Sequence, residues 1–162
     1  MSGALPFALR DASIFTLTGV LMWYDAAAGD ASPPLLAIAT GLFGTLCGFL
    51  LHEWGHLLGA MWTGSKVAFP RLGSPFLFLF DVSQNGPRQF LAMSYGGYAG
   101  SIVALILLGS LLSPHMLSGQ VGLGAATLGV LATFVLEVPT TLRVRRGEPL
   151  PSQGPAYVGT GD

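Results

Sequence analysis

Two histidines four residues apart, His52 and His56, lie in a long apolar segment, and Glu53 follows the first of them. An α-helix has about 3.6 residues per turn and would place both imidazoles on one face, where they can bind a single metal ion. A glutamate beside the first histidine can accept a proton from a metal-bound water without being a ligand. This spacing predicts a helical metal site, with His52 and His56 as ligands and Glu53 as the catalytic base.

The composition predicts an integral membrane protein of a single domain. Of the 162 residues, 51% are hydrophobic and 9% are charged, whereas soluble domains contain about 25% charged residues. Ionisable groups at membrane depth are costly and usually functional, which favours a metal site over histidines that only find hydrogen-bond partners on neighbouring helices. The net charge of −1 and the absence of a basic stripe exclude a nucleic-acid interface. The single cysteine, Cys47, excludes an internal disulfide and is predicted only to pack.

Four apolar segments predict an all-α membrane protein with four transmembrane helices in contact with the lipid bilayer. They cover residues 12–24, 35–62, 90–112 and 121–142. The first could be a cleaved signal peptide, since Ala26 to Ala28 follow it, but retaining it as a helix gives a self-consistent topology. Residues 143–162 are rich in Pro, Gly and Ser and are predicted to be a disordered tail.

The segment between the second and third helices predicts a short membrane-associated β-hairpin. Two short apolar runs, 67–69 and 76–80, are separated by Gly and Pro residues. The second run, with Phe76, Phe78 and Phe80, is too apolar to face water, and hydrocarbon does not tolerate bare strand edges. We expect the hairpin to lie against the helices or in a protein-lined cavity. These phenylalanines could contact an unwound substrate segment by strand addition, although a buried connection without a role fits the sequence equally well.

The basic residues predict the orientation. All seven fall on one side of the four-helix topology, so the positive-inside rule places both termini and the hairpin in the cytoplasm. The second and fourth helices then run in the same direction, and His56 and Glu137 lie at similar depths.

A carboxylate is expected to complete the metal site, because the third histidine, His115, lies in a loop on the opposite side. A catalytic zinc site has three protein ligands and keeps one position for water. Glu137 is therefore the predicted third ligand. The alternatives are Asp81 at the end of the hairpin, then Asp25 on the outer side, or a Glu137 that only pairs with Arg143 or Arg145 at the interface.

Residues 52–60, HEWGHLLGA, resemble the H-E-x-G-H-x-x-x-A signature of the site-2 protease family of intramembrane zinc metalloproteases. In that family a metal-binding helix is followed by a membrane-associated β-hairpin, a helix rich in small residues, and a helix that brings a carboxylate to the zinc. Residues 35–142 can be aligned with this order, without a PDZ-like insertion. The family's third ligand is an Asp in an L-D-G motif, where this chain has Leu136-Glu137-Val138-Pro139. Its G-P-x-A-N stretch corresponds here to Gly97-Tyr98-Ala99-Gly100-Ser101.

The resemblance implies a zinc-dependent intramembrane endopeptidase that hydrolyses peptide bonds in transmembrane segments of other proteins. The expected location is a bacterial cytoplasmic membrane. Two alternatives remain open from the residues alone. A non-proteolytic metal-binding scaffold would fit the altered third-ligand motif, and a small transporter could use the His/Glu cluster to line a polar pathway.

Overall fold

The computed structural model describes residues 3–74, 76–151 and 156–158. These residues form five α-helices and three short strands. In chain order they are α1 (Leu5–Ala28), α2 (Pro34–Trp62), β1 (Val67–Ala68), β2 (Leu79–Asp81), α3 (Pro87–Leu111), α4 (Leu117–Leu136), α5 (Val138–Arg145) and β3 (Tyr157–Val158).

The predicted all-α membrane fold is confirmed. Four helical segments are long and apolar enough to span a bilayer, namely α1, α2, α3, and α4 continued by α5. The first helix begins earlier than the predicted 12–24. Pro6 lies in its first turn, where a missing N–H costs nothing, and the charge of Arg10 is neutralised by Asp11 at 2.7 Å.

The second helix is the centre of the bundle, because α2 packs against α1, α3 and α4. Its contact with α3 is close enough to exclude side chains. A Cβ added to Gly55 would collide with the carbonyl of Gly96, and one added to Gly100 would collide with the backbone of Leu51. The small residues at the start of α3 therefore form the predicted close-packing surface. Cys47 is buried with its Sγ 3.2 Å from the hydroxyl of Thr18, as expected for a packing residue.

The fourth span is broken, although the sequence predicts one helix over 121–142. Helix α4 ends at Leu136 and α5 begins at Val138, with Pro139 in its first turn. Proline has no N–H and cannot continue the hydrogen-bond ladder of the preceding helix. The chain turns at Glu137, whose carbonyl accepts a hydrogen bond from the backbone N–H of Thr141 at 3.0 Å.

The predicted hairpin is present but shorter, and it belongs to a three-stranded sheet. Strands β1 and β2 pair antiparallel, with Val67 opposite Phe80. Phe76 and Phe78 precede β2 and were wrongly placed within the strand. The sheet packs on a hydrophobic cluster beneath it, in which Phe80 meets Phe90 edge to face at 6.0 Å. The end of the bundle that carries this sheet is called the hairpin end below.

The tail prediction is wrong in two places. Arg143 and Arg145 lie in the last turn of α5, and Tyr157–Val158 forms β3, which pairs parallel to β2. Pairing with β3 provides acceptors for the β2 N–H groups that do not face β1. No local sequence pattern predicts this pairing. Tail residues 152–155 and 159–162 lie outside the described part of the chain.

The contact between α2 and α3 can be tested at Gly59, where an added Cβ would collide with the carbonyl of Ala92. We expect Gly59→Ala to lower the stability by about 1–3 kcal/mol, because the helices must separate. Gly109→Ala is the matched control, since nothing lies within 4 Å of its added Cβ. Thermal unfolding in detergent measures both variants. Equal midpoints for the two would show that the close approach is not required.

Candidate metal centre

Three side chains, two from α2 and one from the junction of α4 and α5, converge at one point of the bundle. The Nε2 atoms of His52 and His56 are 3.0 Å apart. One carboxylate oxygen of Glu137 lies 3.2 Å from His52 Nε2, and the other lies 3.4 Å from His56 Nε2. The structure thus brings together the three predicted ligands in a group that could hold a metal ion.

The other ring nitrogens fix the protonation of the two imidazoles. Nδ1 of His56 lies 2.9 Å from the carbonyl oxygen of Met93, and Nδ1 of His52 lies 3.0 Å from that of Gly97. A carbonyl oxygen only accepts hydrogen bonds, so each Nδ1 carries the hydrogen and donates it. The hydroxyl of Ser101 lies 2.8 Å from the same nitrogen of His52. In the neutral rings both Nε2 atoms therefore present lone pairs toward the Glu137 carboxylate.

With both rings neutral, the two Nε2 atoms and the carboxylate face one another as acceptors, and a cation between them, or a proton on one Nε2, removes their repulsion. Each Nε2 lies closest to a different Glu137 oxygen, and ligand atoms taken one from each residue all lie within 4.8 Å of one another. Two imidazole nitrogens and a carboxylate oxygen form a donor set that suits a divalent metal ion of the zinc type.

Helix α3 orients both histidines because its backbone lies directly against them. A Cβ added to Gly97 would collide with the His56 ring, so only glycine leaves room for that imidazole. The His52 side chain is 9% exposed and the His56 side chain 13%. Both rings are thus held by packing as well as by hydrogen bonds.

The carboxylate is delivered by the break between α4 and α5. The hydroxyl of Thr141 donates to the Glu137 carbonyl at 3.1 Å and lies 2.7 Å from the phenol oxygen of Tyr98. Tyr98 thus ties α5 to α3 next to the site. The interface pairing considered for Glu137 is not seen, since Arg143 instead donates to the Thr140 hydroxyl.

The two competing carboxylates lie outside the ligand group. Asp81 accepts hydrogen bonds from the Ser83 hydroxyl at 2.7 Å and the Gln84 amide at 2.7 Å. These contacts, with that of Ser83 the largest, hold the pKa of Asp81 below its ordinary value. Asp25 is buried near the C-terminal end of α1 and accepts a hydrogen bond from the hydroxyl of Ser32. The two predicted alternatives to Glu137 as third ligand, Asp81 and Asp25, are therefore not part of this site.

Glu53 lies beside the ligand group and is not part of it, as its predicted role requires. It is 9% exposed, and its Oε2 accepts a hydrogen bond from the backbone N–H of Leu77 at 3.2 Å. The residues before β2 thus hold the carboxylate in place.

Two cavities meet at the site and share Glu53, Glu137 and Phe76 in their walls. One, of about 330 Å³, lies between α2, α3 and α4 and is otherwise mostly apolar. The other, of about 370 Å³, lies toward the hairpin end and is also lined by Phe78. Phe80, the third predicted substrate contact, is 1% exposed within the hydrophobic cluster and lines neither cavity.

A polar network connects the first helix to this site, and sequence reasoning missed it. The buried carboxylate of Asp11 accepts from Trp54 Nε1 at 2.9 Å and from Arg10 Nε at 2.7 Å. Arg10 also donates to the carbonyls of Leu72 and Ser74, at 3.1 and 3.5 Å. The start of α1 therefore holds the loop that leads to the Leu77 amide. An Asp in an apolar helix, beside an Arg, was the available signal.

Comparison with protein-family models, curated proteins and solved structures gives no match. The resemblance to the site-2 protease family therefore depends on the motif and the order of the elements.

The ligand set predicts how metal content responds to substitution. We expect about one zinc ion per chain in protein purified in detergent without chelator, and loss of that zinc in Glu137→Gln, because an amide is a poor zinc ligand. Asp81→Asn should keep the zinc, and the exposed Glu148→Gln is a matched control. Elemental analysis per chain measures all four. Metal-free wild type, or a Glu137→Gln variant that retains its zinc, would contradict the assignment.

The Asp11 network predicts a stability effect separate from metal binding. Asp11→Asn places an amide donor against Arg10 or Trp54, so we expect a loss of about 1–3 kcal/mol. The zinc content should stay unchanged, because Asp11 is not a ligand. The exposed Asp30→Asn is the control, and thermal unfolding in detergent is the measurement. If Asp11→Asn and Asp30→Asn unfold at the same midpoint temperature, the network does not stabilise the protein.

Proposed function

We propose that this protein is a zinc-dependent intramembrane endopeptidase that cleaves transmembrane segments of other membrane proteins. The observation that carries the proposal is the convergence of His52, His56 and Glu137, in which each imidazole Nε2 lies within 3.4 Å of a Glu137 oxygen, beside the buried carboxylate of Glu53. A binding site alone has no need of that fourth group.

His52, His56 and Glu137 would hold the zinc, which supplies a Lewis acid that polarises a carbonyl and lowers the pKa of water toward about 7. Glu53 acts as general base and then general acid. Its carboxylate accepts a proton from the water that attacks the peptide carbonyl, and it returns that proton to the leaving amine nitrogen. The hydrogen bond from the Leu77 N–H keeps one Glu53 oxygen fixed while the other is available for this transfer.

The surroundings of the site favour an apolar, unwound substrate. The cavity between α2, α3 and α4 is lined by small and aliphatic side chains, among them Gly48, Ala104, Ala126 and Gly129. An intact transmembrane helix keeps its carbonyls in backbone hydrogen bonds, so the segment must unwind before cleavage. The second cavity reaches the same two carboxylates from the hairpin end.

Glu53→Gln separates catalysis from metal binding. We expect this variant to retain zinc and to lose at least about 100-fold in turnover, because the amide can neither accept nor return the proton. The assay uses proteoliposomes with dye-labelled apolar peptides that contain a helix-breaking Gly or Pro. The control is Glu148→Gln, which should cleave at the wild-type rate.

Three results would contradict the proposal. Cleavage by Glu53→Gln at the wild-type rate would remove its catalytic role. A wild type that binds zinc, cleaves no peptide of the series and carries zinc across vesicle membranes would favour the transporter, and one that binds zinc without flux or cleavage would favour the scaffold.

A further inference from the structure

The sheet at the hairpin end has a central strand with two different partners. The Asp81 N–H of β2 donates toward β1, to the Lys66 carbonyl at 3.2 Å. The Phe80 and Val82 N–H groups point the other way and donate to the carbonyls of Ala156 and Val158, each at 2.9 Å. Without β3, these two amides would form an open strand edge, which is the template for adding an extended peptide.

That edge lies beside the candidate metal centre. Ala156 and Tyr157 line the same 370 Å³ cavity as Glu53, His56 and Glu137. The Tyr157 ring packs 6.2 Å from the ring of Phe90, which anchors the segment on the hydrophobic cluster. Burial, followed by the negative charge of Glu137, raises the pKa of Tyr157 to about 12, so its phenol is neutral in this position.

We propose that segment 156–158 is an internal occupant of the β2 edge, which an extended apolar peptide must displace before it can bind next to Glu53. This inference rests on the proposed peptidase function. The occupant satisfies the Phe80 and Val82 amides while no substrate is present. It is also part of the same chain, so it competes at a high effective concentration.

A reversible lock tests the proposal in the full chain. Asp81 and Val158 are register partners in β2 and β3, so Asp81→Cys with Val158→Cys can form a disulfide that prevents β3 from leaving. Cys47→Ser removes the natural thiol, and Glu53→Gln prevents cleavage of the probe. The probe is a fluorescein-labelled apolar peptide rich in Val and Ile, and its binding is followed by fluorescence anisotropy in detergent.

We expect the oxidised protein to bind this peptide at least about tenfold more weakly than the same protein after reduction. The matched control locks β1 to β2 through Ala68→Cys with Leu79→Cys, which are register partners, and leaves β3 free. That protein should bind equally before and after reduction. A second peptide with Pro at alternate positions, which cannot add as a strand, should bind neither protein.

Equal binding by the oxidised and reduced Asp81/Val158 pair would overturn the proposal, and so would failure of that disulfide to form. The readout needs neither zinc nor turnover. If the lock blocks the peptide while zinc content or cleavage fails its own test, the proposed peptidase falls and the peptide-binding edge remains. If zinc and cleavage are found and the lock has no effect, only the internal occupant is wrong.

Discussion

The close approach of the α2 and α3 backbones is the constraint on which the rest of the structure depends. Glycines at the contact leave no side chain between the helices, and Gly55 and Gly96 face each other directly. Helices separated by larger side chains pack about 8–10 Å apart. The shorter separation here brings the Met93 and Gly97 carbonyls within hydrogen-bond distance of the two imidazoles. The glycines that allow the two helices to pack closely therefore also allow the imidazoles to be oriented.

The Glu137 carboxylate, in contrast, reaches the site at a point where regular helical structure is interrupted. A helix break is costly in a bilayer because it frees backbone polar groups. Here Glu137 keeps its backbone hydrogen bonds, because its N–H donates to the Thr133 carbonyl at 2.9 Å and its carbonyl accepts from the N–H and the hydroxyl of Thr141 at 3.0 and 3.1 Å. Pro139 has no N–H to donate and lies in the first turn of α5, just after Glu137. The pair of histidines on α2 is thus completed by a ligand at the junction of α4 and α5.

The sequence predicts the features that depend on local spacing or on the number of residues along a helix. The helical positions of His52 and His56 follow from their separation, and the pairing with Glu137 follows from equal depth in two helices that run in the same direction. The Asp11 contact with Trp54 and the β3 pairing join residues far apart in the chain, with no pattern that specifies the partner. The start of the first helix and the break in the fourth were also predicted wrongly, because whether a proline begins or breaks a helix depends on the N–H positions around it.

Two contacts that no sequence pattern specifies are made by neighbouring residues of α2. Adjacent positions on a helix point about 100° apart, so Glu53 and Trp54 face different surroundings. Glu53 accepts from the Leu77 N–H, while Trp54 donates to Asp11, whose partner Arg10 holds the carbonyls of Leu72 and Ser74. The connection before β2 is therefore held at both ends by one turn of α2. Movement of this connection must therefore break contacts with the first helix as well as the contact with the candidate catalytic carboxylate.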